Sequence, residues 1–264
     1  MKEKDVQDVQ DVQDVQSDKG FDQRWRNNPE PQPTTVEQFI AKTGWKPEDL
    51  AGKTVLDAGC GIGRYCKFIT EHGGKAIGVD VSPDGLLAAK RNAPEATLVK
   101  ADLTIPGFLK DACVDMAMSI GVLHHTQDPA QSFANVARTV KPGGKLAIWV
   151  YTRPVADPKN LLLVDFLHEV TSSVAPQRLY EICQKYATQI RDLCYPRWDV
   201  LEEVLRPSYN SDDTQCISDF FDWLTPKYRF WHTPEEVATW FSEAGFSVTW
   251  MGSFPVSMSG VKKL

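Results

Sequence analysis

Val55-Leu56-Asp57-Ala58-Gly59-Cys60-Gly61-Ile62-Gly63-Arg64 is an apolar run that ends in a carboxylate and passes into glycines at alternate positions. This pattern reads as a buried strand feeding a tight turn, with a helix predicted over residues 64–72. Glycines there let backbone approach a ligand with no Cβ in the way, which points to a nucleotide-type ligand at the strand's carboxyl end. A dinucleotide fingerprint needs G-x-G-x-x-G. Counted from Gly59, the third glycine position holds Arg64, and counted from Gly61 it holds Cys66. The departure argues against NAD, and so against a nicotinamide oxidoreductase, the alternative that shares the sheet, the glycines and the ribose acid.

Downstream, Val79-Asp80-Val81-Ser82 ends a second predicted strand 23 residues after Asp57, close to the spacing at which a carboxylate reaches ribose hydroxyls in α/β nucleotide sites. Ala101-Asp102-Leu103 follows a third, over residues 97–100. Residues 114–125 hold Val114-Asp115-Met116-Ala117-Met118-Ser119-Ile120-Gly121 and then Val122-Leu123-His124-His125. Residues 138–149, Arg138 through Pro142-Gly143-Gly144 to Trp149, complete the series.

Taken in order, these stretches resemble the motifs of class I S-adenosylmethionine-dependent methyltransferases, of the small-molecule, ubiquinone/menaquinone type. The resemblance implies S-adenosylmethionine as cofactor. It places Asp57 near the methionine end, with Gly59, Cys60, Gly61 and Gly63 as the turn. Asp80 and Val81 fall at the ribose, Asp102 and Leu103 at the adenine, and Ser119 and Ile120 at the fourth strand's end. In such proteins an aromatic N-terminal segment folds over the ligand, which makes Trp25 a candidate to close the pocket. Phe21 and Trp25, four apart, would share one face of a short helix.

From residue 52 to 151, apolar β-rich runs alternate with helical segments, the signature of a parallel sheet covered on both faces. Strands are expected over 54–57, 76–80, 97–100, 114–119 and 145–151. Ser82-Pro83 and Asp128-Pro129 each supply a helix cap followed by a first-position proline. Thr233-Pro234-Glu235-Glu236 starts a helix that stops at Gly245, and strands are expected over 246–251 and 255–261. The fold expected is α/β: a Rossmann-like, seven-stranded, mostly parallel sheet with helices on both faces, plus a largely helical insertion after the fifth strand. Residues 17–151 and 233–264 would form the core. Residues 152–232 would form an aromatic-rich lid of about 80 residues where a dozen suffice for a crossover. Helices are expected in it over 159–174, 176–194 and 218–224, and Arg191, Arg197, Arg206 and Arg229 are candidates to grip an acidic acceptor.

The first sixteen residues repeat Asp-Val-Gln four times from Asp5, a three-residue period matching neither helix nor strand, and are expected to be a disordered tail. A net charge of −6 with scattered basic residues disfavours nucleic acid as substrate. The six cysteines form no metal-ligand spacing, so no metal is expected, and reduced thiols suit a cytoplasmic protein. No apolar run approaches the roughly 20 residues of a bilayer span, and the N-terminus lacks a signal peptide's apolar centre. Oligomeric state has no signature here.

Methyl transfer is an in-line displacement that rests largely on positioning, with a base where the acceptor carries a proton. His125, and next to it His124, is the candidate base at the mouth of the fourth strand, and Tyr151 is a candidate to orient the acceptor. The expected partner is a small-molecule acceptor. An RNA or protein acceptor, or a non-catalytic S-adenosylmethionine-binding protein, are the alternatives.

Overall fold

The computed structural model describes residues 19–152, 158–194, 204–205, 208–253 and 256–264. The Asp-Val-Gln repeat, Arg197 and Arg206 lie outside them. Seven strands make one sheet: β1 (Thr54–Ala58), β2 (Lys75–Asp80), β3 (Thr97–Lys100), β4 (Val114–Ile120), β5 (Val140–Trp149), β6 (Phe246–Met251) and β7 (Ser257–Lys262). Their spatial order is β3-β2-β1-β4-β5-β7-β6. The first five run parallel, and β7 pairs antiparallel with both β5 and β6, so β7 alone runs against the rest. The chain moves outward from β1 to β3 and then restarts at β4 on β1's other side. The carboxyl ends of β1 and β4 therefore flank the switch point where open sheets bind ligands.

Strand residues alternate between two buried faces. Leu56 and Ala58 of β1, Ala117 of β4, and Leu146 and Ile148 of β5 share one core with Phe133 and Val136 of α5 (Pro129–Thr139). Val237 and Phe241 of α9 (Pro234–Glu243) join the same core. Val55, Met116, Met118 and Ala147 point the other way, against Phe39 of α2 (Val36–Thr43) and Phe68 and Ile69 of α3 (Arg64–Glu71). Because both faces are covered, these strands read as near-continuous apolar runs rather than as alternating ones.

The local chemistry sets the helix starts. Ser82 caps α4 (Pro83–Asn92), accepting from the Gly85 N–H at 3.0 Å, and the Asp128 carboxylate accepts from Gln131 N–H at 2.9 Å at the start of α5. β5 starts at Val140, ahead of the expected residue 145, so that Pro142-Gly143-Gly144 lies within it. The β4 pairing jumps there from Val114↔Val140 to Met116↔Lys145, so the segment is a bulge in the ladder. Thr233 Oγ1 accepts from Glu236 N–H at 3.2 Å. Thr233→Ala should therefore destabilise the fold by about 1 kcal/mol, a melting-temperature drop of roughly 2–4 °C. An unchanged melt would show that α9 is held by packing alone.

Cα packing divides the chain into two compact units. One comprises Glu30–Arg153 and Tyr228–Leu264, and the other Ser17–Pro29 and Pro154–Lys227. The boundaries differ from those expected: residues 17–29 group with the insertion, and Tyr228 to His232 group with the sheet. The second unit is helical, with α1 (Lys19–Asn27), α6 (Pro158–Ser172), α7 (Pro176–Cys194) and α8 (Asp213–Leu224). Its interior holds Leu179, Tyr180, Cys183, Phe220, Phe221 and Trp223, and the Arg24 guanidinium of α1 pairs with Asp222 of α8. Longer-range packing of this kind leaves no local trace in the sequence, which is why α1 read as part of the core. Among the described residues no helix is long and apolar enough to cross a membrane.

Candidate functional site

The turn after β1 is built from backbone. Gly59, Gly61 and Gly63 all have left-handed φ, at 83°, 50° and 82°. A Cβ on Gly59 would overlap the Val122 side chain, and one on Gly63 would sit 3.0 Å from Ala89, so the first admits the segment after β4 and the second admits α4. Gly59 and Cys60 N–H groups donate to Val79 C=O at 2.7 and 3.0 Å. Gly61 N–H donates to Asp80 Oδ2 at 2.7 Å, and Ser82 N–H to Asp80 Oδ1 at 2.8 Å. The β2-end carboxylate is thus locked to the β1 turn with its aim fixed.

Asp102, just past β3, accepts from Thr104 N–H and Oγ1–H through Oδ1 at 2.8 and 2.7 Å. Its neighbour Leu103 is buried, and its C=O accepts from Asn135 Nδ2 at 2.9 Å. Cys60 is buried, while Val81 and Ile120 are half-buried. Ser119 is wholly buried, and its hydroxyl donates to Ala58 C=O at 2.9 Å, which pins β4 to β1. Asp57 is 1 % exposed. Its carboxyl is pushed up to about 7 by burial, which outweighs the Cys66 thiol donating to Oδ2 at 3.5 Å; the Asp80 charge pushes the same way as burial.

Past β4 and β5, the three candidate catalytic residues come together. His124 and Tyr151 rings stack with centroids 3.8 Å apart, and His125 is edge-on to His124 at 4.1 Å and to Tyr151 at 5.3 Å. His124 is wholly buried, and its Nδ1 accepts from Tyr151 N–H at 3.3 Å. Burial, then the nearby His125 and His232, hold its pKa well below the ordinary histidine value, so it stays neutral. His125 is half-buried, and its Nδ1 lies 2.9 Å from Tyr228 C=O. A carbonyl only accepts, so Nδ1 is the nitrogen that carries the proton in this bond.

The segment that makes this bond is one that sequence reasoning assigned to the insertion. Phe230 N–H donates to His124 C=O and His232 N–H to Tyr151 C=O, both at 2.9 Å, and Trp231 stacks on Tyr151 at 5.9 Å. A second residue missed from sequence is Lys42 of α2, whose Nζ lies 5.0 Å over the Trp149 ring. Neither carries a motif; a backbone carbonyl and a lysine near a helix end become site components only through tertiary placement. Trp25 belongs to α1 in the second unit, with the Arg24 guanidinium 4.4 Å over its ring. Arg191 pairs with Asp192 and Asp213 at 2.8 Å each, and Arg229 lies 5.5 Å over Trp231.

Comparisons with known proteins bear on the family and the fold. Residues 56–148 match a family model described as a methyltransferase domain. The chain is 30% identical over 158 residues to a ubiquinone biosynthesis O-methyltransferase of Coxiella burnetii, covering 54% of this chain and 67% of that protein. It is 32% identical over 127 residues to an S-adenosyl-L-methionine-dependent Diels-Alderase of Talaromyces variabilis, and spans less than half of that relative, 44% of each chain. A methyltransferase structure from Mesorhizobium loti shares the fold at a TM-score of 0.54 and 18% identity, covering 86% of this chain and 98% of that one.

Proposed function

Since the chain belongs to the class I S-adenosylmethionine-dependent methyltransferases, we propose that it transfers a methyl group to a small-molecule acceptor, with His125 as the base. One observation carries the assignment of the base: the bond between His125 Nδ1 and Tyr228 C=O at 2.9 Å, which leaves Nε2 as the basic nitrogen. His124 is the weaker candidate, because it is wholly buried and burial holds its pKa well below the ordinary histidine value, so taking up a proton there is costly. We assign it, with Tyr151, to positioning His125.

The residues present fit S-adenosylmethionine. Asp80, aimed by Gly61 and Ser82, would take the ribose hydroxyls. Asp102, with Oδ1 tied to Thr104, would turn Oδ2 to the adenine amino group. The Gly59 to Gly63 backbone and Asp57 would face the methionine end. Ser119 and Leu103 would act by fixing the strand ends, not by touching the ligand. When bound, the cofactor supplies an electrophilic methyl group on a sulfonium. The chain's part is to hold the acceptor in line, accept its proton at His125 Nε2, and keep water out.

The assignment to small molecules rests on the acidic net charge and on the relatives' named substrates. Incubating the protein with methyl-labelled S-adenosylmethionine and fractionated cell extract should put label in the small-molecule fraction. Label confined to RNA or protein would overturn the reading. A pH series gives a second check. A positively charged ligand binds best to ionised Asp57, so S-adenosylmethionine affinity should rise as pH climbs through about 7 and level off above it. Asp57→Asn should flatten that rise; a wild-type affinity independent of pH from 6 to 8 would remove Asp57 from the methionine end.

A further inference from the structure

Two cations stand beside the site without acidic partners among the described residues. Lys42, in the last turn of α2, is half-buried and makes no ion pair or hydrogen bond among the described residues. Arg64, the first residue of α3, gives its Nε to Thr34 Oγ1 at 2.7 Å and its Nη2 to Gln38 Oε1 at 2.8 Å, both neutral oxygens. Burial first, and then the Arg64 charge, bring the Lys42 ammonium down to about 8. A cation drawn partly out of water beside a second cation is costly unless an anion joins it.

The ring beneath Lys42 says where that anion would belong. Trp149 ends β5, and the same indole is edge-on to His124 at 6.0 Å and to Tyr151 at 5.6 Å. Lys42 and the histidine cluster therefore share Trp149 as a common neighbour. Resting on the reading of His125 as base, we propose that Lys42 anchors a carboxylate on the methyl acceptor, so that the acceptor is a small organic acid with its methylated atom turned toward His125. Arg64 adds to the positive potential without having to touch the acceptor.

The test uses full-length protein saturated with S-adenosylhomocysteine and two probes of one shape, 4-hydroxybenzoate and neutral 4-hydroxybenzamide, titrated calorimetrically. The benzoate should bind saturably and at least about tenfold more tightly than the benzamide, as one charge-assisted contact would give. Lys42→Gln should bring the benzoate down to the level of the benzamide, whereas Lys42→Arg should keep the preference. In wild type the benzoate should weaken above pH about 8 as Lys42 loses its proton, while Lys42→Arg stays flat. Arg64 of α3 is the one charged group acting on Lys42 among those described, and Trp149 of β5 is neutral. Equal binding of the two probes, no saturable benzoate binding, or a preference that survives in Lys42→Gln would overturn the proposal. So would a Lys42→Gln protein that loses S-adenosylhomocysteine affinity by the same factor, since the charge would then serve the cofactor's own carboxylate. Failure of wild type to bind S-adenosylhomocysteine at all would instead strike the functional reading beneath it.

Discussion

His125→Asn should lower the rate of methyl transfer by about 100- to 10,000-fold, the usual range for removing a positioned general base. The substitution is chosen for its geometry. An asparagine amide can stand where Nδ1–H stands and keep the 2.9 Å bond to Tyr228 C=O, while nothing replaces Nε2. Affinity for S-adenosylhomocysteine and the melting temperature should stay near wild type, so the loss would fall on the chemical step. His124→Asn should behave differently. It removes a wholly buried ring stacked on Tyr151, and an asparagine oxygen that still accepts from Tyr151 N–H does not fill the space, so it should lower the melting temperature as well as the rate. If His125→Asn keeps full activity on an O–H or N–H acceptor, the base lies elsewhere.

Asp80→Ala should weaken S-adenosylmethionine by about 10- to 100-fold, the worth of a lost charge-assisted contact. The effect has two sources. The carboxylate that would meet the ribose disappears, and the Gly61 and Ser82 N–H groups lose the acceptor that fixes the turn. Asp80→Asn, which keeps an acceptor oxygen for one of those donors, should lose less. A variant that binds as tightly as wild type would move the ribose away from β2.

Much of the sheet was legible because its signals are local. A strand that must be buried on both faces is written as a continuous apolar run, and caps such as Ser82-Pro83, Asp128-Pro129 and Thr233-Pro234 act within four residues of themselves. The places of Asp57, Asp80 and Asp102 were readable for the same reason: Asp57 is next to last in β1, Asp80 ends β2 and Asp102 lies two residues past β3, so sequence order places each at the sheet's carboxyl edge. Orientation was not readable. The Ser119 hydroxyl turns to Ala58 C=O, a partner 61 residues away that nothing local at the end of β4 announces. His124 and His125 are adjacent letters of the same type, and only the packing of Tyr151 and the Tyr228 carbonyl gives them different surroundings. Residues 228–232 read as insertion because aromatic content is shared with it, whereas their backbone bonds tie them to the ends of β4 and β5. Lys42 had no signal in one dimension, since the lack of an acidic partner among the described residues is a matter of what stands next to it in space.

The central claim is that the crevice at the carboxyl ends of β1, β2 and β4 takes S-adenosylmethionine and presents its methyl group. Calorimetric titration of the full-length protein with S-adenosylhomocysteine, and separately with NAD and NADP, tests it most directly. The expected result is one saturable site for S-adenosylhomocysteine, weakened by Asp80→Ala, and no heat with either dinucleotide. Binding of NAD or NADP with no response to S-adenosylhomocysteine would contradict the account.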